Sequence, residues 1–396
     1  MKTNLLFPCI YFSLLQLLFF SCNKDDKNNS PIDDMPKVKN ITYLTNGGVV
    51  HYSPIAKKIA YERYNTFAGS LGADGSPTAQ VWIADANGQN PTCMTCTDIP
   101  NGPLKNRHKG MPTWHSSGNW LVIAVEMPNH TAQHAQVRPG AGLYHDLWAV
   151  KSDFSKWVKL TSYLNNATTS PFARPAGALV PRFSRTGDKL VWAEMLDYNP
   201  AKPFGKWQLV VADFTNWNTD TPSLSNLSYF KPNNGEFYEA WTFSPDNQTI
   251  TVASDAGVAQ HGELDFFLWN VGSNTMKNMT NSNQYEEQAV ISPDGKYIAY
   301  MSSENINPPY NPANFIGKIR TEVWLMKIDG TNKRKITHFN VVGSPEYFDT
   351  GVSQKLGIPT SWGEDSKTLY VAVGVRQPGI NNLGNDLARL YKIEFE

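Results

Sequence analysis

One phrase recurs six times along this chain, and it constrains the fold more tightly than any other feature. It consists of an aromatic or apolar residue, a tight turn of the Ser-Pro-Asp-Gly kind, and an alternating apolar run. The fullest copies are Phe243-Ser244-Pro245-Asp246-Asn247 leading to Ile250-Thr251-Val252-Ala253, and Ile291-Ser292-Pro293-Asp294-Gly295 leading to Tyr297-Ile298-Ala299-Tyr300. Looser copies begin at Tyr52, Trp114, Phe183 and Trp362. Pro pre-sets φ, Asp bonds the backbone ahead and Gly accepts φ > 0, so each phrase reads as a hairpin between two strands. A second marker, such as Val81-Trp82-Ile83-Ala84 or Val323-Trp324-Leu325-Met326, supplies a third strand, again six times. A third marker is an aliphatic residue followed by Thr or Ser, and it is assigned to a fourth strand. It occurs at Ile41-Thr42, Met94-Thr95, Leu160-Thr161, Leu227-Ser228, Met279-Thr280 and Ile336-Thr337. Three markers that each count to six predict an all-β, six-bladed β-propeller of four-stranded blades.

The order of the markers predicts how the ring closes. The chain begins with a lone fourth-strand marker at Ile41-Thr42 and ends on a third strand, Leu390 to Phe395. The N-terminal strand is therefore expected to complete the last blade, which removes the open sheet edges of an unclosed array. One domain, 38–396, absorbs the length. Trp82, Trp148, Trp269 and Trp324 are assigned to the blade core, and Trp157, Trp207 and Trp217 to the surface.

Composition excludes several classes of function. A chain of 396 residues with 41% hydrophobic content is not disordered. Thirty-five Lys and Arg against 35 Asp and Glu leave no net charge to drive binding to nucleic acid or to an anionic membrane. Four cysteines do not make a disulfide scaffold at this length. Cys93 and Cys96 are expected to form a local disulfide of structural character, since no helix start is predicted beside them to activate a thiol.

The first residues read as an address. Lys2 is followed by a nearly continuous apolar stretch, Leu5 to Phe20, then Ser21 and Cys22. The polar run that follows, Asn23 to Pro31, carries no hydrophobic pattern and reads as a tether. The expected division is a signal peptide over 1–21, a tether over 22–37 and the propeller beyond.

Turn motifs lie 62, 69, 60, 48 and 71 residues apart, whereas a minimal blade needs about 40–45. The surplus falls between strands two and three and between blades. These two sets of connections emerge on one face of a propeller, so one face is trimmed and the other elaborated. Long loops on a rigid scaffold are where binding and catalysis concentrate.

Five of the eight histidines fall in or beside the elaborated connections: His108, His130, His134, His145 and His261. Their segment also holds Arg138 and Tyr144, and Glu239, Glu286, Glu287 and Gln288 stand just before first strands, near the expected channel mouth. Solvent-exposed loop histidines are the plainest reading of the five. Neutral imidazoles can also hold a divalent metal, and a poised one can serve as a base. His115, in the Ser position of a trimmed-face turn, is assigned a structural role. Ala68-Gly69-Ser70-Leu71-Gly72 lacks the strand-to-helix context of a hydrolase nucleophile.

Two resemblances sharpen these expectations. The Ser21-Cys22 junction resembles a bacterial lipobox, which implies lipidation of Cys22, and the acidic pair Asp25-Asp26 resembles the export signal of Bacteroidota surface lipoproteins. These imply an outer-membrane lipoprotein that faces outside the cell, or alternatively the periplasm, and meets the membrane only through its anchor. The repeat phrase, from about Val38 to the C-terminus, resembles that of TolB-type propellers, without the N-terminal α/β domain of TolB itself. The function expected from all this is a monomeric binding module whose elaborated face takes a glycan or an envelope protein, with His108, His130, Arg138, Glu239 and Glu287 as its contacts. The alternative resembles propeller-fold polysaccharide lyases such as the oligogalacturonate lyases. That resemblance implies a divalent metal on His108, His130, His134 and His261, with His134, His145, Arg138 and Tyr144 acting on a uronate.

Overall fold

The structure is a computed structural model. It describes residues 34–65, 71–72, 75–98, 105–128, 130, 132, 137–163, 176–197, 204–259, 262–306, 308–311, 319–349, 351, 354–375 and 388–396. Cys22 and the expected signal peptide lie outside the described residues, as do His134 and His261. The chain divides into Met1–Met35 and Pro36–Glu396, and the second unit holds the fold.

Six antiparallel sheets of four strands form a ring, a six-bladed β-propeller with no α-helix among the described residues. The inner strands of blades 1 to 6 are Val50–Ser53, Lys109–Trp114, Ala178–Phe183, Tyr238–Phe243, Glu286–Ile291 and Lys355–Trp362. Blade 6 is completed by Val38–Asn46, which pairs antiparallel with Arg389–Phe395 and sets Val38 opposite Phe395. Glu396 donates its N–H to the Lys37 carbonyl at 3.0 Å, so the two stretches stay paired to the last residue.

The turns on the trimmed face form for the reason their sequence implies. Ser292 Oγ donates to Asp294 at 2.6 Å and accepts the Tyr297 N–H at 3.0 Å, while Ser244 makes the same pair of bonds with Asp246 and Thr249. His115 stands in for the serine: its Nδ1 accepts the Ser117 N–H at 3.2 Å, and its ring packs among Phe183, Phe214 and Trp217.

The third marker does something other than form a strand. In blades 1, 2, 4 and 5 the fourth strand ends before its threonine. The Thr95, Thr161, Thr280 and Thr337 hydroxyls each accept a third-strand N–H and donate to the acidic or amide side chain just before it. In blade 5 Thr337 Oγ1 accepts from Val323 N at 2.9 Å and donates to Glu322 Oε2 at 2.7 Å. The corresponding pairs are Val81 and Gln80, Leu147 and Asp146, and Phe266 and Asp265. The threonine thus satisfies a backbone donor that the short outer strand no longer reaches. In blade 3 the outer strand is long, Ser223–Phe230, and Ser228 pairs within it opposite Val211.

Trp120, Trp192, Trp207, Trp241 and Trp269 fill the space between blades. Trp207 is a correction: expected at the surface, it is 2% exposed, and its indole N–H is taken by the Phe204 carbonyl. Trp217 is at the surface as expected, 39% exposed, and Trp157 is half-buried.

Five inner strands slip register near one level: between Gly110 and Thr113, Leu179 and Arg182, Ala240 and Thr242, Glu287 and Val290, and Pro359 and Ser361. Three of these bulges hold a non-glycine residue in the left-handed region: Met111 at φ 52°, Val180 at φ 49° and Gln288 at φ 52°. A β-branched residue there carries strain of order 1–3 kcal/mol, and such bulges re-aim the side chains that follow. The inner edge of a blade needs no ladder partner, which is why Pro112, Pro181 and Pro359 are tolerated in it.

Candidate functional site

The polar groups of the central channel are contributed by different blades. Arg182 lies on the inner strand of blade 3 and is 2% exposed. Its charge acts on Glu62 and His51 of blade 1 and on Glu239 of blade 4. Blades 1 and 4 stand on opposite sides of the ring, so only a group in the channel meets both. One Arg182 nitrogen, Nη1, donates to its own strand's Pro181 carbonyl at 2.9 Å, and the guanidinium lies 4.7 Å over the Trp241 ring. Burial lowers its pKa to about 10 against the pull of Glu239 and Glu62.

Glu239 and Glu287 begin the inner strands of blades 4 and 5 and meet carboxyl to carboxyl. Burial, then the charge and hydrogen bond of Glu287, push Glu239 well above the carboxylate range. Tyr285 donates its hydroxyl to Glu287 Oε2 at 2.6 Å. Burial likewise raises Glu62 to about 7, against the Met111 N–H it accepts at 3.3 Å and the charges of Arg138 and Arg182. A Cβ at Gly48 or Gly110 would strike the Glu62 carboxyl oxygens, so these two glycines make room for it at the junction of blades 1 and 2. His51 is held neutral, its pKa lowered to about 3 by burial and then by Arg182 and Arg185, while its Nδ1 accepts the Trp114 N–H at 3.1 Å. At the trimmed end Arg185 reaches from blade 3 to the Ile291 carbonyl of blade 5 at 3.1 Å.

Glu239 and Glu287 thus meet each other, and Arg138 of the blade 2 excursion acts on Glu62 through its charge. The described histidines assemble elsewhere, around Glu126 of blade 2. Glu126 accepts Arg107 Nη1 at 3.1 Å, His130 Nε2 at 2.8 Å and the His108 N–H at 2.7 Å. His108, 2% exposed, uses Nδ1 to accept the Ala79 N–H at 3.0 Å. His145 is buried, holds the Leu143 carbonyl through Nδ1 at 2.8 Å, and has its pKa lowered to about 4 by burial. His130 stacks on Tyr144 with ring centres 5.2 Å apart.

These are corrections to the picture of exposed loop histidines. His108, His130 and His145 tie the root of the blade 2 excursion to the blade, and one nitrogen of each is engaged in that task. Of the nitrogens of these three histidines, His130 Nδ1 and His145 Nε2 are buried without a hydrogen-bond partner among the described residues. No group of three or more His, Cys, Asp or Glu converges on a metal position among the described residues. His134 and His261, two of the four ligands that the lyase resemblance implies, lie outside the described residues. Glu286 turns away from the channel, receiving hydrogen bonds from Ser282 at 2.6 Å and Ser302 at 3.0 Å. Cys93 and Cys96 form the expected disulfide.

Sequence reasoning missed Arg182, Glu62, Tyr285 and His51. Arg182 could have been found: it occupies the level held by His51, Thr113, Thr242, Val290 and Ser361 in the other blades, one residue before the apolar residue that opens each phrase. A guanidinium there has nowhere to go but the channel.

No protein-family model and no curated protein matches the sequence. Among solved structures, TolB from Acinetobacter baumannii is 14% identical with a TM-score of 0.48, over 86% of this chain and 64% of that one. A hydrazine synthase from Kuenenia stuttgartiensis is 13% identical with a TM-score of 0.45, over 89% and 88%. An oligogalacturonate lyase in complex with manganese is 10% identical with a TM-score of 0.44, over 91% and 99%. The chain spans 64% of the length of the TolB structure it matches. At these identities the likeness is one of architecture: the protein is a β-propeller with a TolB-type structure among its neighbours.

Proposed function

We propose that the protein is a binding module of the cell envelope, anchored by lipid at Cys22 and presenting the face of its long connections to a partner. One observation carries this reading. The connections between inner and second strands span only 54–57, 115–119, 184–188, 244–248, 292–296 and 363–367. Those of the opposite face run as far as 127–144, 160–177, 303–321 and 336–354. Chain length has gone to one rim of a closed ring, around a channel mouth with Glu239 and Glu287. A partner rich in hydroxyl and amide groups, a glycan above all, suits a mouth that offers donors and acceptors together.

The test is a comparison of two loop replacements. One exchanges 304–320 for a short Gly-Ser turn, and the other exchanges 271–274 of the trimmed face. Each protein is scored on an array of envelope glycans and by cross-linking in whole cells. Binding should disappear with the first exchange and survive the second. Binding that follows the trimmed face, or turnover of a polysaccharide by the purified protein, would overturn the reading.

A further inference from the structure

Capture by the outer loops leaves one feature of the channel unexplained, a buried cation whose best donors are unused. Arg182 Nη1 is engaged and one guanidinium face is covered by Trp241, yet Nε and Nη2 are buried without a hydrogen-bond partner among the described residues. These two N–H groups share one edge of the guanidinium and point the same way. That edge is the fork that takes both oxygens of a carboxylate side-on. Unpaired donors of a buried charge are costly, and the fold has the means to satisfy them close by. Glu62 and Glu239 both feel the Arg182 charge, but no described carboxylate lies within ion-pair contact of it. Glu239 turns instead to Glu287, and Glu287 to Tyr285. The bulge between Leu179 and Arg182, with Val180 held at φ 49°, fixes the strand from which the fork projects.

The neighbouring wall, formed by blades 4 and 5, narrows the choice of ligand. Glu239 and Glu287 meet side chain to side chain there with the Tyr285 hydroxyl on Glu287, a cluster of oxygen groups that suits a hydroxyl group. A free cation would meet Arg182, and an apolar group would leave every one of these atoms unsatisfied. We propose that Arg182 is the anchoring group of a small-ligand site in the channel, taking a polar carboxylic acid whose neighbouring hydroxyl groups reach Glu239, Glu287 and Tyr285. The site shares Glu239 and Glu287 with the channel mouth but turns on Arg182, which the outer-loop binding proposed above does not use.

Four probes separate its parts: gluconate (carboxylate with hydroxyls), acetate (carboxylate alone), glucose (hydroxyls alone) and inorganic phosphate. Binding to the purified protein is followed by calorimetry and by tryptophan fluorescence, since Trp241 lies against Arg182. Gluconate binds, acetate binds more weakly, and glucose and phosphate do not. Arg182→Lys keeps the charge and removes the fork, so it weakens gluconate by about tenfold or more. Glu287→Gln keeps the packing and is the second variant, should Arg182→Lys fail to fold. It weakens gluconate several-fold and leaves acetate unchanged. Absence of gluconate binding, equal gluconate affinity in Arg182→Lys, or tighter binding of phosphate than of any carboxylate would each overturn the proposal. None of these results bears on the loop replacements, which are scored on macromolecular partners.

Discussion

Replacing Glu62 by Gln should stabilise the propeller, and only above the pH at which this carboxyl ionises in the unfolded chain. Burial raises its pKa from 4.5 to about 7. In the unfolded chain the group ionises near its ordinary value, so between the two values the folded state keeps a proton that the unfolded state has released. The proton's contribution is present in full below pH 4.5 and is lost as pH rises through 7. The gap from 4.5 to about 7, at 1.36 kcal/mol per pH unit, amounts to about 3 kcal/mol at most, and contact with channel solvent brings it nearer ~2 kcal/mol. Glutamine keeps an oxygen for the Met111 N–H and has nothing to ionise. The stability difference between variant and wild type should therefore be near zero at about pH 4, grow through the interval and level off by about pH 8. Thermal unfolding followed by tryptophan fluorescence would show this as a gain of roughly 4 °C at the plateau. Taking the difference removes the parallel titrations of Glu286 and Lys109, whose pKa values burial also brings to about 7. A difference that does not change with pH, or a less stable variant at alkaline pH, would refute the assignment of Glu62 as a carboxyl kept protonated by its surroundings.

Other outcomes follow from the same structure. Thr337→Val leaves the Val323 N–H without its acceptor, while Glu322 keeps the Phe339 and Asn340 N–H donors, and should destabilise by ~1 kcal/mol in denaturant melts, whereas Thr337→Ser should recover most of the loss. Deleting residues 36–46 bares the free edge of Arg389–Phe395 and should yield oligomers by gel filtration in place of a single cooperative species. Reducing the Cys93–Cys96 bond releases a loop of four residues and should cost ~2 kcal/mol, read as a lower denaturant midpoint. Cys22→Ala should move the protein from the membrane fraction to the soluble fraction on cell fractionation.

The architecture was legible because it is written in local chemistry repeated six times. Ser292, Pro293 and Asp294 close the same turn as Ser244, Pro245 and Asp246, and a turn needs only its own residues. The long connections were legible by subtraction. What sequence did not disclose depends on neighbours distant in the chain. His108 and Glu126 meet only because their strands lie side by side, and Trp207 is buried by a blade boundary that its own alternation does not mark. The threonine markers were counted correctly and given the wrong task, since a residue that caps a neighbouring strand looks, in one dimension, like part of the strand before it. Glu239 and Glu287 drew notice because they stand at the start of inner strands, whereas Arg182 was missed although its place one residue before the opening Phe183 of its phrase was legible in the sequence.

The pairing of Val38 with Phe395 makes the ring a test of its own completeness. Five blades can zip up as the chain is made, but the seal needs both extremities at once, the most distant meeting the molecule makes. A chain cut short before its final strand has no partner to offer Val38–Asn46 and stays an open horseshoe with two raw margins. Quality control that recognises such margins would discard unfinished copies while sparing every sealed one.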